Sequence, residues 1–177
     1  MRNAFLLAAA GIGLSGCAVV PQPAPAPAPI VIPAPPRPAP ALLPSDWRER
    51  PFALGDWSLV QKDTGSVAQF GHPGRPADFL VRCQAMSKNL RFSRAGSIPE
   101  GVAAVMTLAS TDTKRAYAAT NSSEVPPHIW SETPANDPQL DSLAFSRGRI
   151  LVSVAGTDDL VIPSWPEFAR VVEECRG

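Results

Sequence analysis

The chain holds two histidines, the side-chain type most often used for acid–base catalysis near neutral pH. His72 lies in "GHPGRP" and His128 in "PPHIW", so each is expected in a loop beside proline. A hydrolase would pair such a histidine with a serine and an acid, but the sequence has no G-x-S-x-G motif to present that serine. We therefore predict that neither histidine is catalytic and that the protein is not an enzyme.

The sequence also lacks the usual patterns for metal and cofactor binding. Asp158 and Asp159 in "GTDDL" are without the alternating ligands of an EF-hand loop and are typical of a hairpin turn. Neither the glycine-rich dinucleotide motif nor a P-loop occurs. We predict no metal and no cofactor.

The first of three cysteines follows a short hydrophobic leader, "MRNAFLLAAAGIGLSGC". Its apolar stretch is well below the about 20 residues that span a bilayer, so residues 1–16 are predicted to be a signal peptide. The tetrapeptide "LSGC" resembles the lipobox of bacterial lipoproteins. The resemblance implies that Cys17 becomes the lipidated N-terminus. Because Ala18 follows it, rather than the Asp that favours inner-membrane retention, the implied location is the periplasmic face of the outer membrane.

Residues 17–44 are predicted to be the lipid anchor and a proline-rich linker. This stretch holds 11 of the 21 prolines in the chain. Proline fixes φ and lacks an N–H donor, so an extended polyproline-II tether is expected. The rest of the chain, residues 45–177, has a suitable length for a single periplasmic domain.

The other two cysteines, Cys83 and Cys175, form an even pair, and a disulfide is favoured in an oxidising compartment. Cys83 alternates with Phe79 and Val81 and therefore lies on the apolar face of a predicted strand. Cys175 shares a helical face with Val171. Because both side chains point inward, we predict that they are bonded to each other.

Apolar residues alternate in four pairs of segments separated by short turns, which predicts about eight antiparallel strands in hairpins. The fold class is therefore mainly β, a sandwich or a small barrel. Helices are predicted near 138–146, capped by Asp137, and near 165–175, where Ser164 and Glu167 match a capping box. The stretch "NSSEVPPHIWSETPAND", residues 121–137, is predicted to be a long loop.

Five residues are candidates for a binding surface. Arg91 and Arg94 in "NLRFSRAG" could hold an anion such as a peptidoglycan carboxylate or a lipid phosphate, or else belong to solvated strand edges. Trp47 and Trp130 could line a ligand groove or a partner surface, or else lie partly buried under loops. His128 stands beside Trp130 in the long predicted loop, and the two are expected to form an exposed pair.

The charges and one short motif limit the function. Lys plus Arg and Asp plus Glu both number 16, so no excess charge favours nucleic acid. We predict a non-catalytic role: binding an envelope protein or peptidoglycan, or supporting the envelope. Residues 64–70, "TGSVAQF", resemble the inhibitory loop of small periplasmic lysozyme inhibitors, so an inhibitor of a cell-wall hydrolase is the alternative. An enzyme whose site is assembled only by folding is the third hypothesis.

Overall fold

The computed structural model describes residues 46–146 and 148–177. The predictions for the signal peptide, for Cys17 and for the linker lie outside these residues. The strands are β1 (Asp56–Lys62), β2 (Gly65–Gly71), β3 (Phe79–Gln84), β4 (Asn89–Ala95), β5 (Ala104–Ala109), β6 (Lys114–Asn121), β7 (His128–Pro134), β8 (Arg149–Val154) and β9 (Leu160–Pro163). The helices are a 3-10 turn, Trp47–Glu49, and α1 (Gln139–Ala144) and α2 (Pro166–Arg176).

All nine strands belong to one antiparallel sheet in the order β1-β2-β3-β4-β7-β6-β5-β8-β9. The four predicted hairpins are present as β1–β2, β3–β4, β5–β6 and β8–β9. The sheet curls into a half-barrel. The mainly β prediction is confirmed, and the choice between sandwich and barrel resolves to a single curled sheet.

Strand β7 is not among the eight predicted strands, and it corrects the prediction that residues 121–137 form a loop. It pairs with β4 along its whole length and with the end of β6, so it joins the two halves of the sheet. Its inward residues are Ile129, Ser131 and Thr133, all buried. Two of the three are polar, so the strand lacks the apolar alternation by which strands are found in a sequence.

Helix α2 packs on the inner side of the curled sheet, against β1 to β4. Phe168 stacks on Phe92 with ring centroids 6.3 Å apart and meets Trp57 edge-on at 6.4 Å. Such aromatic pairs add to the stabilisation that comes from burying their area. Cys83 of β3 and Cys175 of α2 lie at disulfide distance, with Cα atoms 5.3 Å apart, as predicted.

Both predicted helices are present, but only one has the predicted cap. The carboxylate of Asp137 accepts a hydrogen bond from the Gln139 N–H at 3.0 Å, although the helix begins one residue later than expected. The capping box at Ser164 and Glu167 does not form. The Ser164 hydroxyl instead donates to the carbonyl of Leu143 at 3.2 Å, which connects the start of α2 to α1.

Candidate functional site

A small groove crosses the outer face of β2, β3, β4 and β7. Strand alternation points one residue of each strand outward, and the register places them side by side as Gln69, Leu80, Ser93 and Trp130. The cavity has a volume of about 130 Å³. Its floor therefore combines two polar side chains, one aliphatic side chain and one indole.

Trp130 is held in place by a charged neighbour. The guanidinium carbon of Arg91 lies 4.2 Å from the centre of the Trp130 ring, a cation–π contact. Arg91 in turn donates from Nε to a carboxylate oxygen of Glu132 at 2.7 Å. The three side chains are each partly exposed, so the indole is fixed in orientation without being withdrawn from the groove.

A second arginine lies directly opposite the first. Arg82 of β3 is the cross-strand partner of Arg91, and both line the groove. Arg91 is paired with Glu132, whereas Arg82 forms no ion pair with any carboxylate that the structure describes. Like charges directly opposite each other destabilise a sheet. The guanidinium of Arg82 is thus in no ion pair with a described carboxylate, although Glu124 also lines the groove.

His128 closes one end of the groove beneath residues 122–127. The hydroxyl of Ser122 accepts a hydrogen bond from the His128 N–H at 3.1 Å, and the Ser122 N–H donates to the His128 carbonyl at 2.7 Å. The side chain is only 7% exposed. The expectation of an exposed Trp130–His128 pair was therefore wrong for the histidine, because the loop that precedes β7 folds over it.

The geometry also determines the tautomer of His128. Its Nδ1 lies 3.0 Å from the carbonyl oxygen of Pro126. A carbonyl oxygen only accepts hydrogen bonds, so Nδ1 must carry the proton. In the neutral ring Nε2 is then an acceptor; it is buried and has no partner among the described residues.

A neighbouring cavity of about 220 Å³ contains the other histidine. His72 and Arg75 line it together with Asp56, and it shares Gln69 and Ala77 with the groove. Within the described residues the His72 ring contacts the carbonyl of the next residue at 3.4 Å and forms no hydrogen bond with a carboxylate. Among the residues that the structure describes, both histidine rings thus contact backbone carbonyls, and neither is hydrogen-bonded to a carboxylate.

Arg94 lies apart from the groove, on the face of β4 opposite to Arg91. Residues three positions apart in a strand point to opposite sides, so these two arginines do not form one patch. Nη1 of Arg94 donates to the carbonyls of Asp78 at 3.2 Å and Ala95 at 3.0 Å. Burial lowers the pKa of Arg94, and the nearby carboxylates of Asp78 and Asp158 oppose that effect.

Trp47 also lies apart from the groove. It belongs to the 3-10 turn and packs, half-buried, against Ala109, Leu151 and Val161. These three come from β5, β8 and β9, in the other half of the sheet. Its contacts are those of a side chain that covers the sheet rather than of one that lines a cavity.

The sequence analysis missed a buried polar cluster between β6, β7 and α1. Asp137 is 6% exposed; its carboxylate accepts from the Thr133 hydroxyl at 2.7 Å and pairs with Arg115 at 2.6 Å. Burial, and then the charge of Asp137, raise the pKa of Tyr117. Thr133 and Arg115 thus supply the partners that the buried carboxylate of Asp137 needs, whereas the hydroxyl of Tyr117 is buried without a hydrogen-bond partner among the described residues.

Comparisons with known proteins assign nothing to this arrangement: no protein-family model, no curated protein and no solved structure matches the chain. Within residues 46–146 and 148–177, no group of three or more His, Cys, Asp or Glu side chains is placed to hold a metal ion. Over the same residues, no helix has the length and apolar character to span a membrane.

Proposed function

We propose that the protein is a lipoprotein, acylated at Cys17 and held at the periplasmic face of the outer membrane, whose β domain binds an envelope component without catalysis. The groove that contains Trp130 and Arg82 is the proposed contact site. The resemblance of "LSGC" to a lipobox supports the anchor. The Cys83–Cys175 pair supports an oxidising compartment, since disulfides persist there and are rare in the cytosol.

One observation carries the binding role: Arg82 and Arg91 lie opposite each other, and the described acid that pairs with Arg91, Glu132, lies on the far side of Arg91 from Arg82. This arrangement costs stability in the free protein, and an anionic ligand group beside Arg82 would offset that cost. The adjoining indole of Trp130 adds a large, rigid contact surface of the kind that contributes most of the binding energy at interfaces.

The inhibitor hypothesis draws no support from the segment that suggested it. All of "TGSVAQF" after its first residue belongs to strand β2 (Gly65–Gly71). This strand is hydrogen-bonded to β1 on one side and to β3 on the other. Ala68 and Phe70 are fully buried. A segment inside a sheet cannot insert into the active site of an enzyme as an exposed loop does.

Crosslinking in intact envelopes tests the proposed site. Full-length wild type and Arg82→Glu would be crosslinked and captured under denaturing conditions, and the recovered envelope component quantified. We expect Arg82→Glu to reduce recovery several-fold, because it reverses the charge beside the groove. Arg170→Glu is the matched control, since Arg170 is an exposed arginine of α2, away from the groove. Equal recovery with Arg82→Glu and wild type would show that the groove is not the contact site.

A further inference from the structure

The chemistry of the groove narrows its ligand to one class. We infer that the groove binds a sugar that carries a carboxylate, such as a carboxylated amino sugar of an envelope glycan. This inference rests on the proposed function and names the ligand of the same site. Three features of the groove carry it: its size with the position of the indole, its unpaired positive charge, and the tautomer of His128.

The size of the groove admits a single small ring or end group. Its volume of about 130 Å³ is below the range of about 300–1,000 Å³ that is typical of sites for drug-sized ligands. Arg91 covers part of the Trp130 indole, so the groove offers the remainder of that ring next to Ser93 and Gln69. A flat ligand with an apolar face and a polar rim fits such a floor, whereas a hydrocarbon chain would leave the polar groups without partners.

The positive charge of Arg82 indicates that the ligand is an anion. Arg82 has no described acidic partner, and a guanidinium can bind a carboxylate through two parallel hydrogen bonds. Glu124 also lines the groove, near its other end. Its charge disfavours a ligand with several negative groups. A ligand with one anionic group placed toward Arg82 matches this distribution best.

The position of His128 indicates that the ligand carries a hydroxyl group. Its Nδ1–H is directed at the Pro126 carbonyl, so in the neutral ring Nε2 is an acceptor. Nε2 is buried without a partner among the described residues, and the His128 side chain lines the groove. A buried unpaired acceptor is costly and marks a position that a ligand group or a water molecule completes. A sugar hydroxyl can donate there, whereas the carboxylate of an acidic side chain cannot. A carboxylated sugar supplies the donor for Nε2 and the anion for Arg82 within one small ring, whereas an acidic peptide would have to supply the donor from its backbone, as a longer ligand than a groove of about 130 Å³ admits.

Three soluble probes test this inference by calorimetric titration of the full-length protein. N-acetylmuramic acid carries a lactyl carboxylate, N-acetylglucosamine is the matched neutral sugar without it, and triglutamate is an acidic peptide. We expect N-acetylmuramic acid to bind about tenfold more tightly than N-acetylglucosamine. This is the ratio of dissociation constants that one charge-assisted hydrogen bond produces. Arg82→Gln should abolish the preference, and Arg170→Gln should retain it.

Other outcomes overturn the inference in distinguishable ways. Equal affinity for the two sugars would show that the groove does not recognise the carboxylate. Tighter binding of triglutamate than of N-acetylmuramic acid would show that the groove binds acidic peptides. If none of the three probes gave a measurable heat of binding, the inferred ligand class would also be wrong. In each of these cases the proposed function stands or falls separately, by whether Arg82→Glu lowers recovery in the crosslinking experiment.

Discussion

Strand alternation decides which arginines can act together. Arg82 and Arg91 are adjacent across β3 and β4 and both point outward, whereas Arg94 is three residues from Arg91 and points to the other face. In the sequence, Arg91 and Arg94 are the obvious pair because they are near neighbours. In the sheet, the pair that shares a site is separated by a hairpin turn.

Trp130→Ala tests the importance of the indole in the groove. We expect the recovery of the crosslinked envelope component to fall by about tenfold or more, since a central tryptophan commonly dominates an interface. Trp47→Ala is the matched control because it removes a tryptophan that packs on the other half of the sheet. If both variants captured as much as wild type, with melting curves confirming that both are folded, Trp130 would have no part in binding.

Tyr117 offers a pH test of the buried polar cluster. Because burial raises its pKa in the fold, the unfolded chain releases the phenol proton at a lower pH than the native state does. The stabilisation from the neutral phenol is therefore present below the ordinary tyrosine pKa of about 10 and is lost as the pH rises above it. We expect the free energy of unfolding of wild type to be constant up to about pH 10 with respect to this group, and to fall from there as the pH rises toward the raised native pKa of Tyr117.

Tyr117→Phe should show a smaller decrease over the same window, measured by urea unfolding. Tyr117 is the one tyrosine in the chain, so its phenolate absorbance also reports directly on the native titration. An absorbance midpoint at the ordinary tyrosine pKa in the folded protein would contradict the effect of burial.

The strand β7 is the element on which both the fold and the groove depend. It joins the two halves of the sheet, places Trp130 and His128 on the outer face, and points Thr133 inward to the Asp137 cluster. The sequence does not reveal it, because a buried face made of serine and threonine has no apolar period. Its pairing is decided by neighbouring strands that are distant in the chain.

The pairing of β3 with α2 through Cys83 and Cys175 gives a stability prediction. The two cysteines are 92 residues apart, and closing a loop of that length stabilises the fold by about 4–5 kcal/mol in the chain-entropy model. We expect Cys83→Ser to melt at a lower temperature than wild type in oxidising buffer, and the two to melt alike in reducing buffer. Equal melting under oxidising conditions would show that the bond is absent from the purified protein.

The whole molecule is proposed to be a β domain carried on a lipid-anchored tether. Residues 17–44, with their 11 prolines, are proposed to be the tether between the lipid anchor and the domain.

Cys17→Ala tests the anchor. A single acyl chain binds membranes only marginally and stable anchoring needs more than one lipid signal, so removing the acylation site is expected to release the protein. We expect wild type in the membrane fraction and Cys17→Ala in the soluble periplasmic fraction after cell fractionation. Mass spectrometry of wild type should find an acylated N-terminus at Cys17. An unacylated and uncut chain would remove the basis for the proposed location.

The sequence by itself determined the local structure: four hairpins, two helices and an inward-facing cysteine pair, because these depend on residue periodicity and turn chemistry over short stretches. Only the tertiary structure decided the single curled sheet, the strand β7 and the groove. These depend on cross-strand register between segments far apart in the chain, and on buried polar residues such as Ser131 and Asp137. Their partners become visible only when distant strands meet, so no pattern within one segment predicts them.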